Sequence, residues 1–449
     1  NESADFEDNL SRQSTRISQL SVPGISPLND DPRLDPESDN FSAKYWIKNL
    51  RVLQSQDENY YKTYSMGFLY KNLRCFGGNT DADYQETVLN SLQKYALQAL
   101  DYLKKANGEN SFDIIKPMDA LIEKGDLVVV LGRPGAGCST LLKTISAQTY
   151  GFNVDKDSFI SYEGLTHHEI RNNYRGEVIY NAEIEIHFPH LTVWQTILFA
   201  ALMKVPENRF PGTTRQEYAE HFAKVYLSMF GLMHTRNTKV GDDFVRGVSG
   251  GERKRVSITE AALCCSRIQC WDNATRGLDS ASAENFVKCL KLSCDVLNTT
   301  SIVSIYQCSQ RAYELFNKVI LLYEGRQIFF GSTDKAKAFF ENLGFECPDR
   351  QTTADFLTSL SSATERKAKK GWESRVPSTP AEFEKCWKDS NEYKELIGEI
   401  DKRIDLVEKN KAELAQTIET SHRASQANHT RKNTCLLYTS PSPRDSTSS

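Results

Sequence analysis

Leu127-Val-Val-Val-Leu131 runs directly into Gly132-Arg133-Pro134-Gly135-Ala136-Gly137-Cys138-Ser139, and Thr140-Leu-Leu-Lys-Thr144 follows. The first five residues form a continuous apolar run, the pattern of a parallel strand buried on both faces. The next eight are rich in glycine, and the residues from Thr140 onward read as the opening of a helix. Strand, glycine-rich turn and helix in that order make a phosphate cradle. Glycine lets backbone N–H groups turn inward around phosphate oxygens, and the helix aims its positive end at them. Gly132 to Thr140 are therefore the candidate phosphate-contacting residues, with Ser139 placed to ligate Mg2+. The pattern G-x-x-x-x-G-K-[ST] carries lysine where this chain has Cys138. Losing that ammonium removes a charged hydrogen bond of roughly 1.5–3 kcal/mol.

Outward from this loop, short apolar strands alternate with helices from about residue 112 to 344, as in α/β proteins. Residues 301–306 read as a second buried strand. Residues 319–323, then Glu324-Gly325, then 326–330 read as a hairpin. The chain divides into a Ser/Asp/Asn/Pro-rich arm (1–40) expected to be disordered, an aromatic extension (41–107) with a helix over 86–105, a nucleotide-binding domain (108–345) with a helical insertion at about 192–248, and a charged helical connector (346–432). Residues 433–449, Cys435-Leu-Leu-Tyr-Thr-Ser-Pro-Ser-Pro-Arg-Asp445 among them, match nothing before them and read as a non-native tail.

Composition narrows the function. Lys+Arg total 55 and Asp+Glu 59, a net charge of −4, so no basic excess points to nucleic acid. With 39% apolar and 10% aromatic residues the chain can bury a core. No apolar run approaches the ~20 residues that cross a bilayer, so a chain without its own membrane span is expected. It starts at Asn1 with no charged-then-apolar leader. The 11 cysteines are scattered, with Cys264-Cys265 adjacent, and lack a paired C-x-x-C pattern for zinc. They read as reduced thiols, and Asn-x-Ser/Thr at Asn40, Asn273, Asn298 and Asn428 as chance matches.

Val248-Ser249-Gly250-Gly251-Glu252-Arg-Lys-Arg255 lies roughly 116 residues beyond the loop. It resembles the signature segment of ABC ATPases. Ser249 is able to cap the helix that follows, while Gly250 and Gly251 leave N–H groups bare. In ABC dimers that helix tip meets the γ-phosphate of an ATP held by the other domain. Ile268-Gln-Cys-Trp-Asp272-Asn273 resembles the Walker B strand, with Asp272 serving Mg2+, and Gly277-Leu-Asp-Ser280 resembles the D-loop. The family has glutamate where this chain has Asn273. Asparagine orients a water but cannot take its proton, and a positioned base is typically worth about 10²–10⁴-fold. The Q-loop glutamine position falls on Glu183, and Tyr306 stands in the H-loop where the family has histidine. Lysine, glutamine, glutamate and histidine are thus all replaced, while the signature is whole. This implies a domain whose own site hydrolyses poorly and whose Ser249-Gly250-Gly251-Glu252 completes the site of a partner.

The combination closely resembles the N-terminal nucleotide-binding domain of fungal pleiotropic drug resistance transporters, the full-size ABCG-type exporters. Residues 350–360 and 41–51 resemble that family too. The resemblance covers about residues 40–430. It implies a P-loop NTPase fold of the ABC type with a helical subdomain, ATP and Mg2+ as cofactors, a second nucleotide-binding domain and membrane domains of the same full-length protein as partners, and a place on the cytoplasmic face of a membrane, the plasma membrane first. The implied activity is ATP-driven export of hydrophobic compounds. The alternatives are a non-hydrolytic ATP-binding scaffold and a soluble ABC ATPase.

Three features have plainer readings. His187-x-x-His190 lacks a third metal ligand and reads as a loop beside the Q-loop. Phe112 lies near where an aromatic stacks on adenine, and a core position is equally expected. Glu365-Arg-Lys-Ala-Lys-Lys370 reads as solvated, with anionic lipid as the alternative partner. Ser14 and Ser18 each follow an arginine by two residues and are conceivable phosphorylation sites.

Overall fold

The computed structural model describes residues 31–61, 64–78 and 111–426. The arm up to residue 30 with Ser14 and Ser18, the helix expected over 86–105, Asn428 and the tail 433–449 lie outside the described residues.

Two sheets make the body. Strands β1 (Phe68–Gly78), β2 (Ser111–Ile122), β4 (Asn153–Val154) and β5 (Phe159–Ser161) form an antiparallel sheet, with β1 central to it. Strands β3 (Leu127–Leu131), β6 (Val178–Asn181), β7 (Ile268–Asp272), β8 (Thr300–Ser304), β9 (Lys318–Tyr323) and β10 (Arg326–Ser332) form the second, in the order β10-β9-β3-β8-β7-β6. Its β3, β6, β7, β8 and β9 run parallel, and β10 returns antiparallel through the turn at Glu324-Gly325. All five residues of β3, β7 and β8 are buried, as apolar runs covered by helices on both faces require. The register sets Val130 and Asp272 both opposite Ser304. The C-terminal ends of β3, β7, β8 and β6 therefore share one edge, where ligands bind in open α/β sheets.

The helices of the insertion, Val193–Lys204 and Arg215–Met229, start at capping boxes: Thr192 with Gln195, and Thr214 with Glu217. The helix Ala43–Gln56 lies over them, its buried Trp46 edge-on to Phe222 at 5.3 Å and donating to Nε2 of His221 at 3.2 Å. Every cysteine among the described residues is free.

Three expected boundaries move. Residues 31–40 are turns rather than part of a disordered arm: Leu34 is buried, and the Pro36 carbonyl accepts from the Ser228 hydroxyl. The division at 107/108 cuts a sheet, because β1 on one side pairs with β2 on the other. The segment after 345 is not merely a connector. Phe356, Leu357, Leu360, Phe383 and Trp387 are buried, and Phe383 stacks on Phe345 at 5.4 Å. Of these, Phe383 meets Tyr323 of β9 at 5.8 Å and Trp387 meets Phe329 of β10 at 5.1 Å. Beyond them the 36-residue helix Asn391–Gln426 runs about 54 Å. It is pinned by Tyr393 to Asp119 at 2.7 Å, Asp401 to Lys71 at 2.5 Å, Arg403 to Glu163 at 2.6 Å and His422 to Glu177 at 2.9 Å.

Candidate functional site

The phosphate loop leaves β3 at Leu131 and enters the helix Cys138–Ile145. Gly132 is dictated by packing: a Cβ there would stand 3.0 Å from both the Ala136 Cβ and the Cys138 Sγ. Gly137 takes φ +98°, which L side chains resist, and offers no side chain to cap the helix. The first N–H groups of the helix therefore stay available to an anion. Nothing lies within 4 Å of where a Gly135 Cβ would be, so the loop opens outward. Arg133 reaches the other way and pairs with Glu365 at 2.6 Å. Cys138 turns its thiol inward. Burial, helped by the Asp272 carboxylate, pushes its pKa up to about 12, so the lysine position holds a neutral S–H beneath the loop.

Asp272 ends β7 and is 2% exposed. One carboxylate oxygen accepts from the Ser304 hydroxyl at 2.8 Å, the other from the Tyr180 hydroxyl at 2.7 Å. Tyr306 is half-buried two residues beyond Ser304. Burial first, then Cys138, Asp272 and Glu183, push its phenol up to about 12. It is a neutral donor at any physiological pH.

Asn273 adopts φ +46°, a conformation asparagine tolerates better than most residues. Its N–H donates to the Ser304 hydroxyl at 2.9 Å and its side-chain amide to the Glu183 carboxylate at 3.0 Å. The same carboxylate oxygen pairs with the Arg276 guanidinium. Burial alone would raise the proton affinity of Glu183, but Arg276 and Asn273 outweigh it and hold the carboxyl below its usual range. The Glu183 carbonyl accepts from the buried Lys254 ammonium at 2.9 Å. Glu183, Asn273, Cys138, Asp272 and Tyr306 thus gather at one sheet edge.

Ser249 caps the 13-residue helix Gly250–Ala262 in a capping box. Its hydroxyl accepts from the Glu252 N–H at 3.3 Å, while the Glu252 carboxylate takes the Ser249 N–H at 2.8 Å. Nothing lies within 4 Å of where a Gly250 Cβ would be, so the helix tip faces open space. Ser249 belongs to the outer surface, apart from the loop 132–139 in role and element.

Of the residues with plainer readings, Phe112 is 53% exposed and so not a core aromatic. His187 is buried, 3.5 Å from Glu260, and its burial lowers its proton affinity. Among the described residues no group of three His, Cys, Asp or Glu side chains is placed to hold a metal. The motif reading missed Tyr180, Ser304 as an Asp272 ligand, Arg276 and Lys254. Tyr180 lies three residues before Glu183 and Arg276 three after Asn273, so proximity to the motifs was the available signal.

Strand, loop, buried aspartate at the end of β7, one strand beyond β8, and a capped glycine-tipped helix together make an ABC-type ATP-binding domain. Residues 115–276 match the family described as ABC transporter, and residues 5–91 the family described as ABC-transporter N-terminal. Over 413 residues, 91% of its length, the chain is 56% identical to multidrug resistance protein CDR2 of Candida albicans. Over 424 residues, 92% of its length, it is 49% identical to the ATP-dependent permease PDR15 of Saccharomyces cerevisiae. The chain belongs to the fungal pleiotropic drug resistance type of ABC transporter and corresponds to its N-terminal region. It spans 27% and 28% of the length of those two relatives. No helix among the described residues is long and apolar enough to cross a membrane.

Proposed function

We propose that this chain is the first nucleotide-binding half of an ATP-driven exporter of hydrophobic compounds, in which it binds ATP without hydrolysing it efficiently and lends its Ser249-bearing helix tip to the partner domain's ATP. The observation that carries this reading is the bonding of Glu183 to Asn273 and Arg276. A glutamate at 273 would be the base; here an amide stands in its place, and that amide is engaged by the residue occupying the Q-loop position. No residue at this edge is free to take a proton from water: Cys138 and Tyr306 are held protonated, and the carboxylates of Glu183 and Asp272 are each committed to two donors.

The loop fits a triphosphate, with bare helix N–H groups and open space at Gly135. Mg2+ would be held by Ser139, with Asp272 supplying negative charge from behind its two hydroxyl donors; it would neutralise phosphate charge. For the membrane partners, support comes from an apolar surface between Glu183 and Ser249. Ile186 is 89% and Phe244 96% exposed, and the segments carrying them are tied by the Gly241 N–H to the Pro189 carbonyl at 3.0 Å. Apolar side chains held out on a stiff loop fit a buried interface with membrane domains.

The test uses the full-length transporter. Ser249→Arg would fill the helix tip with a long cation and block the partner's nucleotide, so ATP turnover should collapse although the substituted domain is not the hydrolytic one. Unchanged turnover would return the domain to the role of a scaffold.

A further inference from the structure

Between the helix Ala43–Gln56, the insertion helices and the helix Ser280–Leu297 lies a cavity of about 460 Å³, within the size range of small-molecule sites. Its two ends differ in chemistry. One is an aromatic wall of Trp46, Tyr61, Phe210 and Phe222. In this wall the Tyr61 hydroxyl is buried without a hydrogen-bond partner, in a residue 9% exposed. A buried hydroxyl without a partner costs free energy that a bound polar group would recover.

The other end is cationic. The Arg267 N–H donates to the Glu177 carbonyl at 2.9 Å, and the Ser266 hydroxyl to the Gly176 carbonyl at 2.6 Å. The Lys204 ammonium stands 2.7 Å from where a Gly176 Cβ would be. These contacts bring the segments carrying Arg175, Lys204 and Arg267 together; the Arg175 Nε donates to the Arg171 carbonyl at 2.7 Å, leaving its terminal N–H groups, and the Arg267 guanidinium lies 4.8 Å over the Tyr64 ring at the same end. Arg51 and Arg209 also line the cavity, while Glu177 is the acidic side chain of the lining and is already bonded to His422 at 2.9 Å. Among the described residues no carboxylate pairs with Lys204. A cluster of cations at the mouth of an aromatic cavity selects for a molecule with one negative end and one apolar end.

We propose that this cavity binds an amphipathic organic anion, its carboxylate on Arg175, Lys204 and Arg267 and its alkyl or aromatic body against Trp46, Tyr61, Phe210 and Phe222. The occupant would bridge the N-terminal helix and the insertion helices, adding to their direct contacts through Trp46, Phe222 and His221. This site lies behind β7, away from the phosphate loop, and does not depend on the export reading.

The test titrates the 449-residue chain with laurate below its micellar concentration by calorimetry, with 1-dodecanol and dodecyltrimethylammonium as equal-length controls. Laurate should bind saturably, one per chain, and at least about tenfold tighter than dodecanol, the ratio one charged contact supplies. Lys204→Glu/Arg267→Gln should erase that preference. In the unsubstituted chain, laurate should also slow maleimide labelling of the exposed Cys265, which lines the same end. Equal binding of laurate and dodecanol, or laurate that saturates nothing and leaves Cys265 labelling unchanged, overturns the proposal.

Discussion

The side-chain amide of Asn273 donates to the carboxylate of Glu183 at 3.0 Å, joining two positions that the proposed reading takes as departures from the ABC pattern. The two departures fit each other. A glutamate at 273 would face another carboxylate across the same distance, whereas an amide offers it a donor. On that reading Glu183 and Asn273 form one coupled pair, which the substitutions Asn273→Glu and Glu183→Gln test.

Asn273→Glu should therefore destabilise the chain by about 1–2 kcal/mol at neutral pH, through loss of a charged hydrogen bond and like-charge repulsion. Adding Glu183→Gln should restore most of that loss. Urea unfolding of the two variants checks it; an Asn273→Glu chain as stable as the parent would dissociate the pair.

Acid should weaken the docking of the N-terminal helix through His221. Burial, with Lys224 adding to it, lowers its pKa to about 4, and its Nε2 accepts from Trp46. Unfolded histidine takes its proton near pH 6.5, so between pH 6.5 and about 4 the unfolded state binds more protons. Stability falls with pH in that window, on the order of 1.4 kcal/mol per unit. His221→Gln keeps an acceptor without titrating. Its urea midpoint should drop less than the parent's between pH 7 and pH 5, and equal drops would show that other groups carry the acid sensitivity.

Ser249→Ala removes the cap and leaves Glu252 without its hydroxyl partner. The expected cost is about 1 kcal/mol, read as a lower melting temperature of the isolated chain. Ser249→Thr should recover most of it, because threonine caps the helix and keeps the hydroxyl that donates to Glu252.

Phe383→Ala should cost about 3–5 kcal/mol, as for other large aromatics removed from a filled core. Phe383 is 1% exposed and packs against Phe345, Tyr323 and Phe340. A chain ending at residue 345 should accordingly fail to give a cooperative unfolding transition, where a mere connector would be dispensable.

The fold was legible because its deciding stretch is local: a five-residue apolar strand, a glycine turn and a helix start leave few alternatives. The signature tip was legible for the same reason. What stayed hidden depends on register. Asp272 stands out on its own, but Ser304 is an ordinary residue until β7 and β8 set it against Asp272, and the three-residue spacing of Tyr180 from Glu183 does not by itself aim its hydroxyl at the Asp272 carboxylate. The segment 346–389 was misread because its buried residues are spread thinly among charges. Phe383 and Trp387 sit one helical turn apart, well after Phe356, and only the fold sets them against Tyr323 of β9 and Phe329 of β10. The division at 107 failed because β1, met before the phosphate loop, belongs to a sheet completed after it.

The long terminal helix has a mechanical consequence. Its last turns grip Glu177 through His422, and Glu177 immediately precedes β6, whose far end leads to Glu183. A stiff rod fastened at Asp119 and again near its tip acts as a lever on that short strand. Any tug along the rod would be delivered, six residues on from Glu177, to the carboxylate that Asn273 and Arg276 hold.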